Sequence, residues 1–371
     1  MTLSTNQQAF FELLRAGLWE KEARLSMFCP IDFKEVYRIA EEQSVVGVVA
    51  AGLEHVTDIN VPKEDVLAFV GSALQMEQRN KAMNEFVAWL FGMLRAEGVN
   101  AVLVKGQGIA QCYERPLWRA CGDVDLLLDA DGYERAKKVL IPFTSDIEQE
   151  YSHFKHQGML IKGWEVELHG TLHSRLSKRV DRQIDAVQEN TFMFQNVRTW
   201  HNGESDVYIP APDNDVIFVF THILHHFFFE GIGLRQICDW CRLLWKFYGE
   251  IDAKLLEKRL REARLMTEWR AFAAFAVEYL GMSVDAMPLY CEEGKWQRKA
   301  ARINRFVLEV GNFGYKLRRD YSGMGYLWRK FISFWGRLSD MLRHFWVFPK
   351  DSVVFFGGVL RSGLYAAARG E

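Results

Sequence analysis

The sequence predicts an α+β protein, with a small mixed sheet set between N-terminal and C-terminal helical regions. Three observations predict it. Apolar residues recur at helical spacing through the first hundred residues, short β-branched and alternating runs replace them from Val99 to His169, and helical spacing returns after Pro212. The boundaries follow these changes of period: 1–97 as an N-terminal helical region, 98–210 as the α/β core and 211–371 as a C-terminal helical region. At 371 residues the chain is long for one core, and subdomains are expected.

In the first region Val36, Ile39, Val46, Val49 and Leu53 sit close to helical spacing between Lys34 and Leu53. Pro62 precedes a second helical run from Lys63 and Glu64, acidic in its first turn as the helix dipole favours. A long run from Ala73 to Glu97 carries Phe86, Leu90, Met93 and Leu94 on one stripe, and Gly98 stops it. In the core, Val99 to Val104 reads as a strand that Lys105-Gly106-Gln107-Gly108 turns into a short helix ending near Tyr113. Asp123 to Leu128 is the next strand, followed by a helix from Gly132 to Leu140. Ile147–Tyr151, His156–Ile161 and Glu165–His169 read as further strands, split by Gly158 and Gly163. In the third region Asp213 is the expected N-cap of a helix from Val216 to Phe229. Helices over Leu234–Phe247 and Ile251–Glu278 follow, and Pro349 separates two terminal ones. The aromatic, basic tail (Trp328, Arg329, Lys330, Phe331, Trp335, Arg337, Arg343, Phe345, Trp346) reads as a helix buried against its own domain, with arginines at the rim, rather than as a membrane-surface stripe.

Charge narrows the function classes. The 46 basic and 48 acidic residues leave a net charge of −2, which gives no global basic field for nucleic acid. The opening Met1-Thr2-Leu3-Ser4-Thr5-Asn6 shows no secretory pattern, and no apolar run is long enough for a transmembrane helix. Six scattered cysteines suit a reduced compartment, so a cytoplasmic location is expected. Cys238 and Cys241 form a C-x-x-C inside an apolar helical pattern and read as two buried thiols.

Gly122-Asp123-Val124-Asp125-Leu126-Leu127-Leu128 is the segment that points to chemistry. Side chains alternate along a strand, so Asp123 and Asp125 share one face while Val124 and Leu126 enter the core. Two carboxylates so close repel unless a cation lies between them, and Mg²⁺, a hard ion held by carboxylates and substrate phosphates, suits. A third carboxylate is expected from Glu165-Val166-Glu167-Leu168-His169. Glu165, Glu167 and His169 share a face there, and Glu167 is the central choice, as general base or as ligand in a two-metal site. Lys105, Gly106 and Gln107 sit where a strand becomes a helix, a place for phosphate. Lys105 and Arg119 would add positive charge, and Gly122 would admit a phosphate to the backbone. His169, His222, Arg235 and Asp239 are assigned to the acceptor side of the cleft.

Val104-Lys105-Gly106, Tyr113, Pro116, Arg119 and Gly122-Asp123-Val124-Asp125-Leu126-Leu127 together resemble the core of the uncharacterised nucleotidyltransferase family. Val166-Glu167-Leu168-His169 resembles its following strand, and Asp213 to His222 with Leu234-Arg235-Gln236-Ile237-Cys238-Asp239 its helical stretch. The resemblance implies the polymerase-β-like nucleotidyltransferase fold, with Asp123, Asp125 and Glu167 as the carboxylate triad. It further implies Mg²⁺-dependent transfer of a nucleoside monophosphate from an NTP to a hydroxyl on a small molecule, sugar or protein. The chain departs from the wider superfamily at Gln107, where a serine hydroxyl usually contacts the triphosphate, and this motivates an alternative: a nucleotidyltransferase-fold binding or regulatory module without turnover. A third reading, a zinc hydrolase, would rest on the i, i+4 pairs His169/His173 and His222/His226.

Overall fold

The computed structural model describes residues 3–148, 150, 155–193, 195–312, 342, 344–355 and 357. Four helices come first: α1 (Thr5–Trp19), α2 (Phe33–Glu42), α3 (Val46–Leu53) and α4 (Lys63–Ala96). Ser4 caps α1 in a reciprocal box with Gln7, and the Asp32 carboxylate accepts the Lys34 and Glu35 N–H groups at the start of α2. Helices α1 and α3 touch backbone to backbone, since a Cβ on Gly17 would lie 1.9 Å from the Val48 carbonyl oxygen. The two runs expected from Lys63 and Ala73 form one helix of 34 residues. Gly71 between them faces open space and costs only about 1 kcal/mol, too little to break it.

The core follows as β1 (Ala101–Val104), α5 (Gly106–Ala110), β2 (Asp123–Leu128), α6 (Ala130–Leu140), β3 (Thr144–Ile147), β4 (His156–Ile161) and β5 (Trp164–His169). The strand order is β1-β2-β5-β4-β3, with β2 and β5 parallel and every other pair antiparallel, which makes the sheet mixed. The strand expected at Ile147–Tyr151 lies earlier, because Thr144–Ile147 is the stretch that pairs with β4. Residues 149 and 151–154 are outside the described set. Lys162 and Gly163, with φ of 49° and 82°, form the two-residue turn that sets the β4–β5 register. Three elements go beyond the sequence reading: α7 (Lys178–Met193) and the hairpin of β6 (Val197–Asn202) and β7 (Ser205–Pro210).

Helices α8 (Pro212–Phe229), α9 (Leu234–Lys246), α10 (Ala253–Ala263), α11 (Met266–Leu280) and α12 (Gly294–Val310) complete the order. Helix α8 starts sooner than expected. Pro212 takes the first helical turn after Ala211, so Asp213 supports the dipole from inside the helix instead of capping it. A helical stretch at 349–355 begins at Pro349. Of the aromatic, basic tail, Trp328, Arg329, Lys330, Phe331, Trp335, Arg337 and Arg343 lie outside the described residues. Phe345 and Trp346 are 40% and 70% exposed, so the buried face expected for them is not found.

The sheet separates two apolar clusters. Leu103, Val124, Leu126, Val166 and Leu168 pack with Phe86 and Leu90 of α4 and Tyr133 of α6. Val102, Val104 and Leu127 point the other way, into the larger cluster built on α1–α3 and α7–α12. By alternation Asp123, Asp125, Glu167 and His169 share that second face. Among the described residues no helix is long and apolar enough to cross a membrane.

Candidate active site

Register brings the acids together. Strands β2 and β5 run in parallel with Asp125 opposite Glu167 and Asp123 opposite Glu165. Asp125 and Glu167 both line a cavity of about 360 Å³; Glu165, exposed, does not. Val104, the last residue of β1, pairs with Asp125, so the next side chain along reaches the same place. Lys105 Nζ lies 2.8 Å from Asp125 Oδ1. Lys105 and Gly106 both adopt positive φ, 58° and 39°, an uncommon and strained choice for lysine. At Gly106 a Cβ would press on Cys121 Sγ at 3.2 Å.

Two imidazoles close the group. His169 Nε2 lies 2.7 Å from Asp125 Oδ1 and 3.3 Å from Glu167 Oε2. His156, opposite His169 across the β4–β5 hairpin, lies 3.2 Å from the same Glu167 oxygen. The far wall comes from α8 and α9, which contribute His222 and Arg235.

The electrostatics are uneven across this face. Asp125's charge, and then burial, raise the Asp123 carboxyl above its ordinary range; Lys105 only partly offsets them. Glu167 goes the opposite way. Burial works against its charged form, but hydrogen bonds with His156 and His169, then the Lys105 charge, hold it far below the carboxylate range. Burial would lower Lys105 and His169, yet both stand raised: Lys105 by the charges of Asp125 and Glu167, His169 by its hydrogen bonds to them. Burial drives His222 well below its ordinary value, with the Lys105 charge adding to it, so it is neutral near pH 7. Burial, then the Arg119 charge, also weakens the Arg235 cation.

Several predicted site residues have other partners. Gln107 is buried, its amide bonded to Asn80 Oδ1 at 2.9 Å, and does not line the cavity. Asn80 in turn donates to the carbonyls of Leu117 and Arg119 and fixes the loop before β2. Arg119 and Asp239 line the cavity but are committed to one another, with Arg119 Nε 3.0 Å and Nη2 2.5 Å from the two Asp239 oxygens. Tyr113 donates to the same carboxylate at 2.8 Å. Gly122 is outside the cavity lining, although a Cβ there would meet open space. Helix α5 has only five residues, too few for a developed dipole; of the turn, Lys105 and Gly106 line the cavity. Arg235 Nη1 donates to the Ala120 carbonyl at 3.2 Å.

The histidine pairs divide. His169 is on a strand, while His173 is in the loop beyond it and meets Asp185 at 2.6 Å, so they share no helix face. His222 and His226 do share one on α8, but their Nε2 atoms bond to one another at 3.0 Å. Cys238 and Cys241 are both buried thiols. Sequence reasoning passed over His156. Ile161 pairs with Trp164 across the Lys162-Gly163 turn, and counting back from that pair sets His156 against His169.

The family model for uncharacterised nucleotidyltransferases matches residues 30–281. A crystal structure of an antigenic nucleotidyltransferase-like protein from Paracoccidioides brasiliensis aligns over 56% of this chain and 94% of its own, at 15% identity. Its TM-score of 0.33 is too low to carry a structural conclusion. No curated protein matches. The matched span runs from before α2 to the end of α11 and takes in the whole sheet, the acids and both helices of the far wall. By that match the chain, an α+β protein with a small mixed sheet between helical regions, belongs to the uncharacterised nucleotidyltransferase family.

Proposed function

We propose that this protein transfers a nucleoside monophosphate from an NTP to a hydroxyl acceptor, on a nucleotidyltransferase core spanning 98–210 with the helical regions 1–97 and 211–371 around it. The observation that carries the reading is the β2–β5 register, which sets Asp125 beside Glu167 and next to Asp123. Mg²⁺ fits this face by donor chemistry: Asp123 is the least compensated acid, raised by its neighbour's charge, and a dication would relieve that repulsion. Asp123, Asp125 and Glu167 would hold it. When bound, it supplies neutralisation of the triphosphate and polarisation of the α-phosphorus.

The chain's own residues do the rest. Lys105 and Arg235 face the cavity as cations for the phosphates, and Gly106 lets the triphosphate approach the turn. Glu167, kept anionic by two histidines, serves as a ligand; so low a pKa makes it a poor general base. His222, neutral and on the facing wall, is placed to contact the acceptor hydroxyl, whose proton passes to solvent. The acceptor oxygen bonds to the α-phosphorus as the bond to the α–β bridging oxygen breaks, and pyrophosphate leaves with that electron pair. The protein would act in the cytoplasm.

Pyrophosphate release measured with Mg-NTP and a panel of hydroxyl acceptors tests this. Release by wild type that vanishes in Asp125→Asn, with folding intact, is the expected result; equal release by both sinks it. One observation favours the rival, a module that binds nucleotide without turnover: Asp125 Oδ1 already has Lys105 and His169 as partners, as an acid face without metal would. Calorimetric binding of Mg-NTP with no pyrophosphate from any acceptor would decide for the module.

A further inference from the structure

An oxygen-only magnesium site has no use for two imidazoles, yet this face carries them. His156 and His169 are cross-strand partners with ring centroids 4.9 Å apart. Glu167 Oε2 stands between them, at 3.2 and 3.3 Å from their Nε2 atoms. Ligand atoms of all three lie within 4.8 Å of one another, slightly wider than the about 4.4 Å that two donors about 2.2 Å from one ion can span, a gap that small side-chain rotations close. The donors sit on adjacent strands of a hairpin whose register is pinned by its turn, so the set is preorganised. Gly158 lies opposite Glu167 in β4, and the Glu148 carboxylate takes the place a Cβ would occupy there.

Donor type decides which ion such a group prefers. Mg²⁺ demands oxygen and a near-ideal octahedron, whereas imidazole nitrogens favour borderline first-row dications. We infer that His156, Glu167 and His169 form a binding site for one borderline transition dication, of the kind represented by Zn²⁺ and Cu²⁺, distinct in preference from the Asp123–Asp125 pair. It rests on the nucleotidyltransferase reading only in assigning the second, harder ion to Asp123 and Asp125, with Glu167 shared between the two ions; the three-ligand site stands on its own geometry. The acid face is then an asymmetric two-cation site, with nitrogen-rich ligands on the β4–β5 side and oxygen ligands at the start of β2.

Metal binding tests this without any turnover. Chelator-stripped protein is titrated with Zn²⁺, and with Cu²⁺ under pulsed electron paramagnetic resonance, in excess Mg²⁺. The expected result is one Zn²⁺ per chain, ¹⁴N coupling from two imidazoles on Cu²⁺, and affinity lowered at least about tenfold in His156→Ala and in His169→Ala. Asp123→Asn should hold Zn²⁺ within about twofold of wild type. His156 is partly exposed at the start of its strand, so its variant folds, and a melting curve confirms that. Zn²⁺ affinity unchanged in His156→Ala, absence of ¹⁴N coupling, or displacement by equimolar Mg²⁺ overturns the inference. Failed nucleotide turnover with Zn²⁺ binding intact removes the proposed function and leaves this site standing; turnover with Mg²⁺ and no Zn²⁺ site does the reverse.

Discussion

Two charged clusters face the same cavity and differ in kind. Around Asp239, every strong donor has its acceptor: Arg119 holds both oxygens and Tyr113 adds a third bond. Around Asp125 the sums are unbalanced, with three carboxylates sharing Lys105 and two histidines, and Asp123 pushed up by its neighbour. The first arrangement is complete without a ligand and ties the β1–β2 loop to α9. The second becomes balanced when positive charge arrives. Buried charge alone therefore does not single out a candidate site; incomplete compensation on a cavity wall does.

The largest expected effect breaks the open cluster. Asp123→Asn or Asp125→Asn should lower pyrophosphate release by on the order of 10³-fold or more, while the melting temperature stays close to wild type. A variant that unfolds instead would place these acids with the closed kind. Asp239→Ala should do the opposite. It strands the buried Arg119 guanidinium and should cost about 3–5 kcal/mol in denaturant unfolding. Stability within about 1 kcal/mol of wild type would remove the contrast.

Asp215 sharpens the comparison as a half-satisfied case. Arg198 meets one of its oxygens at 2.6 Å, the other has no hydrogen-bond partner, and burial raises its carboxyl to about 6 from 3.8. The folded protein then binds this proton more tightly than the unfolded chain does. The associated stability is full below pH 3.8 and is lost as pH rises through 6, on the order of 2–3 kcal/mol in all. Asp215→Asn should flatten unfolding free energy over that window, and parallel pH curves for the two proteins would contradict it. The smallest effect concerns thiols. Burial raises Cys238 and Cys241 far above the ordinary thiol range, so in native protein a thiol reagent should label exposed Cys29 and leave this pair untouched. Rapid labelling of the pair would show that α9 opens readily.

What the sequence made legible was what short range controls. Alternation along Asp123–Leu128 put both aspartates on one face, and the same alternation put Glu167 with His169. The choice of Glu167 over Glu165 as the cavity residue needed the parallel register, which no local pattern contains. Gln107 and Arg119 looked like phosphate contacts because their partners, Asn80 and Asp239, are 27 and 120 positions away. Strands β6 and β7 escaped notice since Val197–Asn202 mixes charge, aromatic and polar residues with no clean period.

The Lys162-Gly163 turn carries a consequence for how this chain can vary. Lys162 Nζ rests 3.6 Å from the centre of the Trp89 ring on α4, which anchors the turn to the far side of the sheet. A single inserted residue there would slide β4 along β5 and rotate His156 to the opposite surface, even with each ligand retained. Substitution at these two positions is limited by their positive φ; a change in loop length would disperse the His156–Glu167–His169 cluster as surely as deleting one of its members.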